Sequence, residues 1–187
     1  ALFALLILLT FNITAIALGF IAILPVAIYP FAKRFTWWPQ FFLGIAFNWG
    51  VLLAFAASTN FLNWSCVLLY LAGISWTLFY DTIYAHQDKD DDFLLNLKSS
   101  AIKLGQNTKY ALLIFYAIFF MIFAVILLSL SNSLIIHLAI LSLLIHLVSQ
   151  IIYLDIDNSD RCLKIFKSNN LLGLQISFFL ILELVIN

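Results

Sequence analysis

Residues 110–153 read YALLIFYAIFFMIFAVILLSLSNSLIIHLAILSLLIHLVSQIIY, two apolar runs that meet at 129–133 and contain no Asp, Glu, Lys or Arg. Each run supplies roughly the 20 residues an α-helix needs to cross the hydrocarbon core of a bilayer. A helix satisfies its own backbone hydrogen bonds, which lipid cannot do for it. The polar SLSNS break between the runs is a tight turn, so the stretch predicts two antiparallel membrane helices. Working outward, the same cut at polar punctuation gives further spans at 13–31, 38–57, 63–84 and 171–187, and a short apolar piece at 1–10. Pro30 closes one helix and Pro39 opens the next. The expected fold class is all-α: a polytopic membrane helical bundle of six full transmembrane helices plus a partial one, in a single domain over 1–187.

Composition agrees with that reading. Of the 187 residues 65% are hydrophobic and 10% charged, and mean hydropathy is +1.10, whereas soluble domains carry about 25% charge. The lipid bilayer is therefore a partner of this chain. Formal net charge is zero, which argues against nucleic acid as another. Cys66 and Cys162 fall near opposite membrane faces, too far apart for a disulfide, and are expected to be packing residues. The opening ALFALLILLT has no basic flank or small-residue cleavage site, so it does not read as a signal peptide. It is expected to be a chain entered midway.

Basic residues test the partition, because they should gather in alternate loops on the cytoplasmic side. Lys33 and Arg34 fall in a first loop at about 32–37. Lys89, Lys98, Lys103 and Lys109 fall in a second at about 85–109, and Arg161, Lys164 and Lys167 in a third at about 154–170. The intervening turns carry none. Eight of the nine acids sit on that same side, so the chemistry is expected there. Within the second loop, LLNLKSSAIKLG alternates like a short interfacial helix and is expected to cap the site.

The densest charge is YDTIYAHQDKDDD at 80–92. On a continuous helix turning about 100° per residue, Asp81, Asp88 and Asp92 share one face, and such a face repels itself without a cation. Asp88 and Asp92 suit Mg²⁺, which takes oxygen ligands and often bridges one or two carboxylates to substrate phosphates. A diphosphate is the expected ligand. Lys33, Lys89 and Lys98 would neutralise it, and Arg34 would grip a phosphate or carboxylate through paired hydrogen bonds. If the diphosphate leaves an allylic chain, the faces of Tyr29, Trp76, Tyr80 and Tyr84 can stabilise the carbocation. Other polar residues read as structural. His137 and His146 lie on opposite sides of a helix and cannot share a metal, and Glu183 is expected to snorkel to an interface. DIDNSD at 155–160 lacks the glycine and the closing glutamate of a calcium loop.

Four segments, YPFAKRFTWWPQFFLGIAFNWG at 29–50, YDTIYAHQDKDDD at 80–92, LKSSAIKLG at 97–105 and LDIDNSDRCLKIFKSNNLLG at 154–173, together resemble the 4-hydroxybenzoate polyprenyltransferases. These form the ubiquinone-pathway branch of the intramembrane aromatic prenyltransferase superfamily. The resemblance implies a bundle of nine spans around a cavity, in a bacterial or mitochondrial inner membrane. It implies Mg²⁺-dependent transfer of a polyprenyl chain from polyprenyl diphosphate to the ring of 4-hydroxybenzoate. Asp88 and Asp92 match the second aspartate motif, with Asp81 and Asp91 flanking it. Tyr29, Lys33 and Arg34 match a Y-x-x-x-K-R element expected to contact diphosphate or benzoate. Lys98, Ser99 and Ser100 match a K-S-[ST] segment, here ending in Ser.

One departure from the family pattern is the absence of its first aspartate motif, N-D-x-x-D-x-x-x-D, from these residues. The piece at 1–10 then reads as the tail of the family's third helix. The 187 residues by themselves are expected to be inactive, because half of the carboxylates for two Mg²⁺ ions are missing; an isotope assay for prenylated hydroxybenzoate tests this. Competing readings are another aromatic or haem-precursor acceptor, a transporter, or a membrane scaffold. The clean helix interiors argue against a transporter, whose polar or broken segments would lie at mid-membrane.

Overall fold

The computed structural model describes residues 2–186 and consists, among them, of helices and turns without strands. After a short α1 (Leu2–Leu8), α2 (Ile13–Ile21) and α3 (Ile23–Ile28) lead through a 3₁₀ turn (Tyr29–Phe31) into α4 (Ala32–Phe35). Then follow α5 (Pro39–Phe47), α6 (Trp49–Thr59), α7 (Trp64–Tyr84), α8 (Lys89–Leu94) and α9 (Ser100–Leu104). The chain ends in α10 (Thr108–Leu130), α11 (Leu134–Tyr153) and α12 (Ser159–Ile186). Among the described residues six segments are long and apolar enough to cross a membrane: Ile13–Phe35, Pro39–Thr59, Trp64–Tyr84, Ser100–Leu130, Leu134–Tyr153 and Ser159–Ile186. The expected six-span all-α bundle is the observed one, and the chain is an integral membrane protein.

Helix α7 is the hub. Half of its apolar window is buried, against 11 to 28% in the other spans. Phe79 and Ile83 from α7 meet Leu112 and Phe119 of α10, Leu143 and Leu147 of α11, and Leu172 of α12 in one core. On its other side α7 comes close to α5 because the contact is made of glycines, as membrane helices require when lipid offers no hydrophobic drive. A Cβ on Gly44 would stand 3.2 Å from the Ile74 Cα. At Gly73 the space is taken by Asn48, whose amide donates to the Gly44 carbonyl and the Thr77 hydroxyl, each at 2.9 Å. Several polar groups in or beside the spans find backbone partners on neighbouring helices. Tyr70 donates to the Ile45 carbonyl at 2.9 Å, Trp49 to that of Leu18 at 3.0 Å, and Asn12 to that of Ala56 at 2.7 Å.

Three expected boundaries move, each for a local reason. Pro30 does not end the first span: a proline is tolerated where a helical turn begins, and a 3₁₀ turn carries the chain on to Phe35. The last span begins at Ser159 and not at 171, so the third loop shrinks to 154–158 and Arg161, Lys164 and Lys167 ride on helix. Asn158 starts it, its side-chain oxygen accepting from the Arg161 N–H at 2.9 Å. Polarity alone does not break a helix that leaves the bilayer. Third, the helix through the acidic run is not continuous. It tightens after Tyr84, where the N–H groups of His86 and Gln87 bond to the Ile83 and Tyr84 carbonyls three residues back, and restarts at Lys89. The break moves Asp90, Asp91 and Asp92 from a negative helix C-terminus to the first turn of a new helix, where carboxylates are favoured.

The cysteines are buried and free. Glu183 accepts a hydrogen bond from the Ser133 hydroxyl at the end of the bundle away from the acidic run, and His137 bonds to the Ser133 carbonyl within its own helix.

Candidate functional site

Lys33 is at the centre of the charge-rich end. Its position follows from the proline-started turn, which continues the first span to Phe35. The loop after α8 holds it there: the Lys98 N–H donates to the Lys33 carbonyl at 2.8 Å, and the Lys98 ammonium to the Phe35 carbonyl at 3.0 Å. A cation thereby closes the C-terminal end of α4, where carbonyls lack partners.

The Lys33 ammonium donates to both carboxylate oxygens of Asp92, at 2.8 and 2.9 Å, and stands 3.9 Å from an oxygen of Asp88. Asp92 is 3% exposed. Burying a carboxylate this deeply requires a paired cation, and Lys33 is that cation. Beside the pair lies a cavity of about 220 Å³ lined by Tyr29, Lys33, Gln40, Asp81, Tyr84 and Asp88, closed by Pro30, Pro39 and Ala85. Asp81, Asp88 and Asp92 therefore do converge, although by a helix break and not by one helical face. Asp81 and Asp88 reach the cavity; Asp92 stands behind Lys33.

The other expected residues separate. Tyr29 and Tyr84 line this cavity, whereas Trp76 and Tyr80 line another, of about 400 Å³, further along α7 with Phe47, Asn48 and Asn169. Tyr80 and Tyr84 both pack on Phe166, with centroids 5.7 and 4.7 Å away. Arg34 is exposed, its guanidinium 5.6 Å over the Phe31 ring, and Asp91 is exposed on α8. Lys89 does not line the cavity. Its charge instead acts on His86, whose ring bonds to the Thr108 hydroxyl at 3.0 Å. Burial first, and then Lys89, lower the His86 pKa to about 4, offset only in part by Asp157 and the Ile156 backbone. Ser99 and Ser100 are fully buried, and neither hydroxyl oxygen has a hydrogen-bond partner. Gln40 is one residue that the sequence reading passed over: it is 2% exposed, lines the cavity, and its carbonyl oxygen is unpartnered. Its signal was faint, a single amide at the second position of a span.

The donor set is made of oxygens and suits Mg²⁺, which takes carboxylates together with waters and phosphates. Among the described residues no three His, Cys, Asp or Glu side chains are grouped to hold a metal unaided. Asp81 and Asp88 in one cavity fit an ion that a phosphate ligand would complete.

Residues 1–179 match the UbiA prenyltransferase family. The chain belongs to that family. It is 42% identical over 181 residues to the mitochondrial 4-hydroxybenzoate polyprenyltransferase of Dictyostelium discoideum, covering 96% of this chain and 38% of that protein. To the human mitochondrial 4-hydroxybenzoate polyprenyltransferase it is 41% identical over 177 residues, covering 94% and 48%. This UbiA chain thus spans less than half the length of either relative. A solved apo structure of a UbiA homologue from Aeropyrum pernix K1 superposes with a TM-score of 0.77 at 23% identity, over 94% of this chain and 66% of that one. That likeness establishes the fold as the UbiA intramembrane one.

Proposed function

We propose that this chain forms the diphosphate-binding portion of an enzyme that transfers a polyprenyl chain from polyprenyl diphosphate to the ring of 4-hydroxybenzoate, a step of ubiquinone biosynthesis. The observation that carries the reading is the Lys33 ammonium, chelated by Asp92 and flanked by Asp88, at the wall of a cavity that also holds Asp81. Three carboxylates and one mobile cation form a receptor for metal with diphosphate, and the relatives' names supply the acceptor. By the positive-inside rule this end faces the cytoplasm of a bacterial cell or the mitochondrial matrix, with the helices in the inner membrane.

In this reading the allylic C–O bond breaks, diphosphate leaves with the electron pair, and the ring carbon attacks the allylic cation before losing its proton. Asp81 and Asp88 would hold Mg²⁺ from the cavity wall, with Asp92 joining them only if Lys33 turns away from it, and the ion would supply positive charge to the departing oxygens. Lys33 adds a second positive charge, and its side chain, 37% exposed, is free to turn from Asp92 towards a phosphate. Tyr29 and Tyr84 present ring faces to a cation in the cavity. Lys98 braces α4 behind the carboxylates, Ser99 and Ser100 are buried beside it with unpartnered hydroxyls, and Gln40 offers an acceptor at the cavity wall. Arg34 and Asp91, exposed here, contribute at most to the approach of charged substrate.

The test is prenylation of radiolabelled 4-hydroxybenzoate by membranes containing the full-length protein. Asp88→Asn should lower turnover by about 100-fold or more, the scale of losing a transition-state charge contact, and raise the Mg²⁺ needed for half activity; Asp91→Asn should stay near wild type. Unchanged turnover and metal requirement in Asp88→Asn and Asp92→Asn would remove the basis of this reading.

A further inference from the structure

We propose that the groove between α11 and α12 at the charge-rich end is a binding site for the phosphate of an anionic phospholipid. The groove, of about 290 Å³, is lined by His146, Ser149, Gln150 and Tyr153 on α11 and by Arg161, Lys164, Ile165 and Ser168 on α12. The spacings are helical on both sides: 146, 149, 150 and 153 form one face, and 161, 164, 165 and 168 the other. Neither Lys33 nor the aspartates of the acidic run touch it, so it is a separate site and does not rest on the proposed reaction.

Its charge is unbalanced. Asp155 stands 3.5 Å from one Arg161 nitrogen and leaves the rest of the guanidinium fork open. Lys164 has no carboxylate within ion-pair distance among the described residues. At the floor lies Gln150, 3% exposed, with its amide nitrogen donating to the Ser168 hydroxyl at 2.7 Å and its carbonyl oxygen unpartnered. A phosphate takes the Arg161 fork and the Lys164 ammonium together.

A lipid, and not free phosphate, is the occupant that the surroundings describe. Tyr153 is 69% exposed at the end of a membrane span, as residues at the headgroup level are, and Ile145 and Ile152 beside it are 61 and 70% exposed and apolar, a surface for acyl chains. Basic grooves between membrane helices on this side recruit anionic headgroups.

The experiment is native mass spectrometry of the full chain in detergent, given an equimolar mixture of phosphatidylglycerol and phosphatidylcholine, with and without millimolar inorganic phosphate. Phosphatidylglycerol should be retained in preference, and inorganic phosphate should not displace it. Each of Arg161→Gln and Lys164→Gln should weaken retention roughly fivefold and the double variant roughly 25-fold, while Lys167→Gln, on the same helix but not lining the groove, should change it less than about twofold. All three positions are exposed, so unfolding without lipid should match wild type. Equal retention of the two lipids, undiminished binding by the double variant, or displacement by inorganic phosphate overturns the proposal.

Discussion

Replacing Lys33 by Met and Asp92 by Asn, singly and together, isolates the ion pair that organises the acidic end. Both oxygens of Asp92 receive the Lys33 ammonium at under 3 Å, and hydrogen bonds to charged groups are each worth about 1.5–3 kcal/mol. A fully buried pair would cost about 3–5 kcal/mol to break. Here Asp92 is buried but the Lys33 side chain is 37% exposed, so water screens one partner and the coupling between them should fall to about 1–2 kcal/mol. The two single losses should be unequal. Lys33→Met strands a carboxylate that is 3% exposed and should destabilise by ~2–3 kcal/mol, whereas Asp92→Asn leaves Lys33 free to turn to Asp88, 3.9 Å away, and should cost ~1 kcal/mol. Denaturant titration of the purified protein in mild detergent, followed by tryptophan fluorescence, gives the four stabilities. Additivity within about 0.3 kcal/mol, or a larger loss for Asp92→Asn than for Lys33→Met, would show that the pair is not what holds Asp92 in place.

Gly73→Ala should cost about 1–3 kcal/mol in the same titration, because the new methyl overlaps the Asn48 side chain, while Gly50→Ala, with nothing within 4 Å, should be neutral or stabilising. His86 makes stability depend on pH: its folded pKa of about 4 lies below its ordinary 6.5, so the unfolded chain takes up a proton that the folded chain refuses. The contribution is whole above about pH 6.5 and is lost as pH falls towards 4, by up to ~3 kcal/mol; His86→Gln should flatten a plot of melting temperature against pH over that window, and a retained slope would exclude His86 as its source.

Spans were legible because lipid imposes one rule on every residue of a crossing, and 110–153 obeys it without interruption. Boundaries were less so where a charged residue can lie on a helix that has already left the bilayer. Arg161, Lys164 and Lys167 belong to α12 because Asn158 caps it, and nothing in local polarity distinguishes that from a loop. At the site, the convergence of Asp81, Asp88 and Asp92 was expected from an unbroken helix, yet a turn at 85–88 brings them together by another path. Periodicity assumes a regular backbone, and between Tyr84 and Lys89 the backbone is not regular. The partner of Asp92 was beyond any local pattern, since Lys33 lies 59 residues earlier and arrives through the packing of α4 on the loop before α9. Gln40 was missed for the same reason: a lone amide acquires meaning only once the cavity exists.

The acidic run poses one electrostatic problem with two solutions. Without substrate, the charge of Asp92 is met by Lys33 from within the chain; with a diphosphate, whose own charge is negative, Lys33 and divalent metal would have to be shared between phosphate and carboxylate. A lysine suits that exchange better than an arginine would, because its compact ammonium on a flexible stem can change partners, whereas a guanidinium fork holds a carboxylate in one geometry. The neighbouring residue makes the contrast: Arg34, with the stronger fork, is turned outward over Phe31, and the weaker, more mobile cation is the one placed between the carboxylates. Lys33→Arg should therefore preserve stability and impair turnover, a separation that a purely structural ion pair would not show.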